Sequence, residues 1–376
     1  MRIYLSRPHM SGVEERYVSD AFASKYVAPL GPYVDAFEEA MSEYLGNNLQ
    51  CVALSSGSAA LHLALRISGV TGSDEVWISS MTFAGGVFPL NYLGATPRFF
   101  DLSNVSWTID IDLVAGELAL AAREGRLPKV IVPTDLYGQS VDLTQLECLA
   151  NEYGVRLIVD SAESLGASLG QGRKAGSGGD ASVLSFNGNK VITTSGGGML
   201  VTRHEGWAKE ARFLSAQARD AAPHYQHSTY GYNYRLSNIC AAIGLAQLQV
   251  LDERVDRRRM IFSRYKEALS QPGIQFMPEP LGHRSSRWLT VLTFDALVLG
   301  VSREDIRRKL LEHQIESRPL WKPMHMQPLY AGSQYHGSGF DEHLFECGLC
   351  LPSGSDMSDI QQDEVIEIIQ DTLRGV

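Results

Sequence analysis

The sequence has no apolar run approaching the ~18 residues that a membrane-spanning helix needs. Its first ten residues, Met1 to Met10, lack the apolar core of a signal peptide. The cytoplasm is therefore the expected compartment. Five cysteines, Cys51, Cys148, Cys240, Cys347 and Cys350, are odd in number and scattered, which excludes a disulfide framework. Cys347-Gly-Leu-Cys350 has redox or zinc spacing, but no second ligand pair accompanies it. Leu349 and Leu351-Pro352 make it a buried strand end with packing thiols, and no metal is expected. An excess of basic residues is also missing: Lys+Arg 33 against Asp+Glu 43 gives a net charge of −10. That balance argues against a broad nucleic-acid surface but permits a local basic pocket for a small anion. No repeat or low-complexity tract interrupts the chain. The glycine-rich Ser195-Gly-Gly-Gly198 fits neither common nucleotide-loop pattern and reads as a tight turn allowing close backbone approach.

What is present is alternation. Helical patterns over Ser11–Phe22 and Tyr33–Leu45 precede a run of short apolar strands and helices. The strands are expected at Cys51–Leu54, Glu75–Ile78, Thr96–Phe100, Pro128–Val132, Arg156–Val159, Ala181–Phe186 and Gly198–Thr202. Helices are expected at Ala59–Ile67 and Phe83–Leu93, from Asp110 or Asp112 to Arg123, and from Asp142 or Thr144 onward. Apolar strands alternating with helices predict an α/β fold whose largely parallel sheet is covered on both faces. One long helix, Asn238–Leu269, is expected to carry the chain into a second, smaller α/β domain, with Asp252 to Arg259 as a solvated face. The division is 1–250 and 251–376, the N-terminal segment being a candidate to pack on the small domain.

Ligands of such folds bind beyond the carboxyl ends of strands. Ser56, Asp160 and Ser185 all lie at or just after predicted strand ends, and Lys190 sits between an Asn/Gly and a Thr/Ser/Gly stretch. Asp160 ends an apolar strand, where a carboxylate needs a partner. Together these residues match the parts list of a pyridoxal phosphate (PLP) site: an amine, an anion for the pyridine nitrogen, phosphate donors and a ring clamp. Lys190 supplies the amine and Asp160 the anion. Ser56, Gly57 and Ser58 open a helix whose N–H groups and hydroxyls suit a phosphate, although Ser-Gly-Ser is equally an ordinary helix cap. Ser185 adds a hydroxyl, Asn187 lies in the same loop, and Phe83 is the candidate clamp.

Ser56-Gly-Ser-Ala-Ala-Leu61, Thr82-Phe83, Leu136-Tyr-Gly138, Asp160-Ser-Ala-Glu163, Gly179-Asp180, Ser185-Phe-Asn-Gly-Asn-Lys190, Gly196-Gly-Gly198 and Gly231-Tyr-Asn-Tyr-Arg235-Leu-Ser occur in this order. This series resembles the DegT/DnrJ/EryC1/StrS family of PLP-dependent sugar aminotransferases, over nearly the whole chain. A narrower likeness, carried by Arg2-Ile-Tyr-Leu-Ser, Pro8-His-Met10, Gln217-Ala-Arg219, Glu316 to Lys322, Met324-His325 and Leu351-Pro-Ser-Gly354, is to UDP-N-acetylbacillosamine transaminases of the PglE type. The resemblance implies an aspartate-aminotransferase-like fold (fold type I) and covalent attachment of PLP at Lys190. It also implies a pyridinium contact at Asp160 and phosphate contacts at Ser58 and Ser185. Asn233 would reach the phosphate of a neighbouring subunit, so a homodimer is implied. Arg235, Arg318, Trp321, Lys322 and His325 would lie near the nucleotide-sugar entrance. L-Glutamate would be the donor, and a UDP-linked 2-acetamido-2,6-dideoxy-4-keto hexose the acceptor, aminated at C4 for bacillosamine-type glycan synthesis. Three positions depart from the common pattern: Ser58 stands for Thr, Asp135 for His, and Glu163 for Gln or His. Glu163 is expected to have a raised pKa and to take part in proton handling.

Overall fold

The computed structural model describes residues 1–46 and 48–375. Its larger sheet has eight strands in the order Gln50–Leu54, Gly198–Thr202, Ala181–Ser185, Arg156–Asp160, Val130–Val132, Glu75–Ser79, Thr96–Phe100 and Tyr335–His336. Gly198–Thr202 runs antiparallel to both neighbours; the remaining pairs are parallel. The expected α/β class and mostly parallel sheet are found. Alternate residues of each strand feed two separate cores. Val76, Ile78, Val130, Val132 and Val183 pack against the helix Gly57–Ile67. Trp77, Ile131, Leu157 and Val159 pack against the helices Ile111–Glu124 and Leu143–Tyr153 on the opposite face. Burial on both faces is why these strands read as continuous apolar runs. Asp110 and Asp142 cap those two helices by accepting backbone N–H bonds.

The smaller sheet is antiparallel: Ile274–Phe276, Thr290–Phe294, Gly348–Leu351 and Arg318–Pro319. The chain's first residues join it. Ile3 bridges Ile315 and shares a core with Ile261, Tyr265 and Leu351. Tyr335–His336 crosses back to edge the large sheet, which the linear reading of the sequence did not foresee. Cys347 ends the helix Phe340–Cys347, while Cys350 is buried in the next strand; both thiols are free. No described helix is long and apolar enough to cross a membrane.

Two expectations need correction. The single helix over 238–269 is two, Asn238–Leu248 and Leu251–Leu269, turning at Gln249–Val250, where Val250 leaves helical geometry (φ −111°, ψ 9°). The two have different partners. The first packs between Glu14–Ala23 and Pro32–Leu45. The second starts in the large-sheet core at Leu251 and Val255 and ends in the small-sheet core at Ile261, Tyr265 and Leu269. Nor is the charged run 252–259 a solvated face throughout. Arg254 and Arg258 are buried, one helical turn apart on the inward side. Arg258 is tolerated there because it donates to the carbonyls of Trp288 and Ser353 and to Ser6 Oγ.

Candidate active site

The strand Arg156–Asp160 delivers Asp160 to the carboxyl edge of the large sheet, where the residue is only 6% exposed. The loop that follows carries Glu163, 3% exposed. The next strand, Ala181–Ser185, ends at Ser185 and releases the irregular loop containing Lys190. Adjacent strands thus place three groups, up to thirty positions apart in sequence, around one cavity of about 320 Å³. Ser56, Gly57, Ser58, Thr82, Phe83, Thr134, Asn187 and Trp321 complete its wall.

Lys190 Nζ lies 3.9 Å from Glu163 Oε1. Burial pushes the lysine pKa down, and the carboxylates of Glu163 and Asp160 oppose that shift. The same burial pushes both carboxyls up, with Lys190 pulling the other way. Burial dominates for all three groups, so the unliganded site holds its charges at a cost. Glu163 is held on both oxygens: Tyr137 N–H donates to Oε2 (2.9 Å) and Trp321 Nε1–H to Oε1 (3.1 Å). Trp321 N–H in turn donates to Tyr137 Oη (2.7 Å), and the two rings stack. Asp135 is a structural tie within this group. It accepts from Val141 N–H and Ser164 Oγ–H, one residue past Glu163, and complete burial raises its pKa to about 6.

The phosphate end differs in character. Ser56 Oγ accepts from Ala59 N–H and caps the helix Gly57–Ile67, while Ser58 and Ser185 line the cavity with hydroxyls not used as caps. Gly85 and Gly86 keep this end open. A Cβ on Gly85 would stand 2.5 Å from Ser58 Oγ, and one on Gly86 2.7 Å from Asp160 Oδ2. Phe83, 54% exposed, covers one side with its ring 5.5 Å from Trp321.

A second cavity of about 350 Å³ adjoins the first and shares Asn189, Trp288 and Trp321 with it. It holds Arg318, whose guanidinium pairs with Glu316 at 2.8 Å. Lys322 lines neither cavity. Arg235 and His325 stand elsewhere. The Arg235 guanidinium is committed to Glu38 (2.9 Å) and to the Ala53 carbonyl. His325 stacks on Tyr335 and pairs with Glu342 (3.0 Å), close to Asp341. Both side chains have structural partners, although His325 Nδ1 is buried without a hydrogen bond, and neither lines the two cavities. Replacing Arg235 with Met should lower stability by about 2 kcal/mol while leaving the KM for the acceptor unchanged. A large rise in that KM with unchanged Tm would return Arg235 to the substrate. Asn233 is exposed and accepts from Gln217 Nε2 (3.3 Å), outside this chain's own cavity. The sequence reading missed Trp288: nothing but its type, a tryptophan ahead of an apolar strand, could have marked it.

Comparison with known proteins gives the chain a family. The model of the DegT/DnrJ/EryC1/StrS aminotransferase family matches residues 8–370. EpsN of Bacillus subtilis (strain 168), assigned as a pyridoxal phosphate-dependent aminotransferase, is 48% identical over 98% of this chain and 95% of its own. GDP-perosamine synthase of Escherichia coli O157:H7 is 33% identical, covering 97% of both chains. Among solved structures, the aminotransferase TlmJ of Streptoalloteichus hindustanus superposes with a TM-score of 0.90 at 30% identity, covering 99% of each chain.

Proposed function

We propose that this chain, which belongs to the DegT/DnrJ/EryC1/StrS aminotransferase family, moves the amino group of L-glutamate to C4 of a UDP-linked 2-acetamido-2,6-dideoxy-4-keto hexose. It is a sugar aminotransferase, and its cofactor is pyridoxal 5′-phosphate. The finer reading gives UDP-4-amino-4,6-dideoxy-N-acetylglucosamine as product and includes a cytoplasmic homodimer in which Asn233 serves the partner's site. The observation that supports the aminotransferase chemistry is the Lys190 amine standing with Asp160 and Glu163 in one cavity at the sheet's carboxyl edge.

The residues present fit the cofactor. Gly85 and Gly86 leave clearance in front of Ser58 Oγ and Asp160 Oδ2 that any side chain would fill. Ser58, Ser185 and the N-terminus of Gly57–Ile67 would hold the phosphate. Asp160 would hold the ring nitrogen protonated, and Phe83 would cover a ring face. When bound, the cofactor supplies an electron sink for negative charge at the amino-acid Cα. The rest falls to the chain. Burial lowers the pKa of Lys190 Nζ, which favours the neutral amine that a nucleophile requires. With its side chain free, Lys190 would serve as base and then acid for the proton at Cα. Burial raises the Glu163 pKa, and its Oε1 stands 3.9 Å from Nζ, so a proton would pass between them only when the pair closes to hydrogen-bond distance. Glu163→Gln should therefore slow the glutamate half-reaction about tenfold and flatten its pH profile. Full activity across the pH range would remove Glu163 from proton handling.

A second reading keeps the reaction and changes the nucleotide to GDP, favoured by the 33% identity to GDP-perosamine synthase. A panel of UDP-, GDP- and dTDP-linked 4-keto sugars, with product stereochemistry by NMR, separates the two. The UDP sugar should be turned over with the highest kcat/KM, and preference for the GDP sugar would establish the second reading. A protein that stays colourless after incubation with PLP, or that fails the half-reaction with L-glutamate, would defeat both.

A further inference from the structure

We propose that Trp288 is a positioning residue for Lys190: its indole face seats the free amine, and its indole N–H fixes the loop that carries the lysine. This rests on Lys190 being the cofactor lysine.

The geometry has two independent parts. Lys190 Nζ stands 4.0 Å from the centroid of the Trp288 ring, well inside the distance at which an ammonium is attracted by an aromatic face, and tryptophan offers the best such face. Separately, Trp288 Nε1–H donates to the carbonyl of Asn189, the residue preceding Lys190, at 2.6 Å. Ser6 Oγ–H donates to the same carbonyl at 2.8 Å. The fully buried Arg258 holds both donors in place, reaching the Trp288 carbonyl (2.6 Å) with Nη1 and Ser6 Oγ (3.0 Å) with Nη2. Trp288 is itself only 1% exposed, and the bond from its Nε1–H to Asn189 fixes the orientation of the ring beside the amine. The small sheet, the N-terminal segment and the helix Leu251–Leu269 therefore converge on one peptide group beside the catalytic lysine.

Chemistry explains why an indole suits this place. The amine must be held when no covalent bond holds it, and it must remain able to give up its proton. Glu163 and Asp160 already attract the ammonium. A third carboxylate would hold the proton too firmly and would repel an anionic donor. An aromatic face attracts the ammonium without adding a net charge. Trp288 lines both adjoining cavities, and Lys190 lines the one that holds Asp160 and Glu163.

The test uses the full-length apoprotein with three replacements: a ring-fluorinated tryptophan at 288 introduced by codon reassignment, Trp288→Phe and Trp288→Leu. The fluorinated residue keeps shape and N–H but loses the negative face. Lys190 is titrated by the pH dependence of its reductive methylation with formaldehyde and cyanoborohydride, mapped by mass spectrometry. The fluorinated ring and Trp288→Leu should each lower the Lys190 pKa by about one pH unit, and Trp288→Phe by less. An unchanged or higher value with the fluorinated ring overturns the seat, whether or not Trp288→Leu folds. Amide exchange over residues 186–191 should rise about fivefold in Trp288→Phe, which lacks the N–H, and not with the fluorinated ring. Equal exchange in both overturns the loop contact. Borohydride fixation of PLP in the wild-type holoenzyme tests the premise separately: capture at a lysine other than Lys190 defeats the site reading, not the titration.

Discussion

Lys190→Ala is expected to abolish the half-reaction with L-glutamate, lowering its rate by about 10⁴-fold or more. The variant loses two contributions at once. Proton transfer by a positioned side chain is worth about 10²–10⁴-fold by itself, and the nucleophile that would hold the cofactor covalently disappears as well. Neighbours cannot compensate. Glu163 Oε1 is 3.9 Å from Nζ but is fixed by Trp321, and its other oxygen is fixed by Tyr137. Asp160 faces the cavity from the end of its own strand. The measurement is stopped-flow absorbance of protein incubated with PLP and then mixed with L-glutamate, with circular dichroism to confirm folding. The visible band of a lysine-bound cofactor should be missing, and borohydride should fix nothing at this position. A folded variant that retained even a tenth of the wild-type rate would show that another amine carries the cofactor.

Asp160→Asn should slow the same half-reaction by roughly 10²–10³-fold, the scale set by removing one preorganised electrostatic contact from an active site. It should also weaken cofactor retention, because the carboxylate that would pair with the protonated ring nitrogen is gone. Stability should move the other way. Burial raises the Asp160 pKa above its ordinary value of 3.8. A carboxyl whose folded pKa is raised contributes stability fully below its unfolded value, and that contribution is lost as pH rises through the folded value. The wild-type apoprotein loses it as pH rises, whereas an asparagine, which does not ionise, keeps it. The Tm of the Asp160→Asn apoprotein should therefore equal or exceed that of wild type at pH 7, and the gap should narrow as pH falls toward 4. A variant that is inactive and also much less stable at pH 7 would identify Asp160 as structural.

Much of the large sheet was legible in the sequence because its strands are buried on both faces, and each apolar run ends at a polar or turn residue. Cys51–Leu54, Glu75–Ile78, Thr96–Phe100 and Arg156–Val159 were placed within one residue of their observed ends. Legibility failed where burial is achieved by polar groups. Arg254 and Arg258 looked like solvent-facing charges, yet the fold buries both. Arg235 and His325 looked like cations available to a diphosphate. Nothing local shows that Glu38, nearly two hundred positions away from Arg235, takes one, or that Glu342 and Tyr335 take the other.

The sequence by itself determined the α/β class and the inventory of the site: one lysine in a glycine-rich loop, one aspartate at a strand end, and a serine-rich helix start. Those features are local, since strand, turn and cap are decided by residues within a few positions of one another. Only the tertiary structure decided which charges are spent and which are left for chemistry. It set Lys190 between Glu163 and the face of Trp288, and tied the loop to Ser6 and Arg258. It also paired Arg235 with Glu38 and His325 with Glu342. The physical reason is that a buried charge is governed by its desolvation and its nearest partners, and in this chain those partners come from segments far apart in sequence.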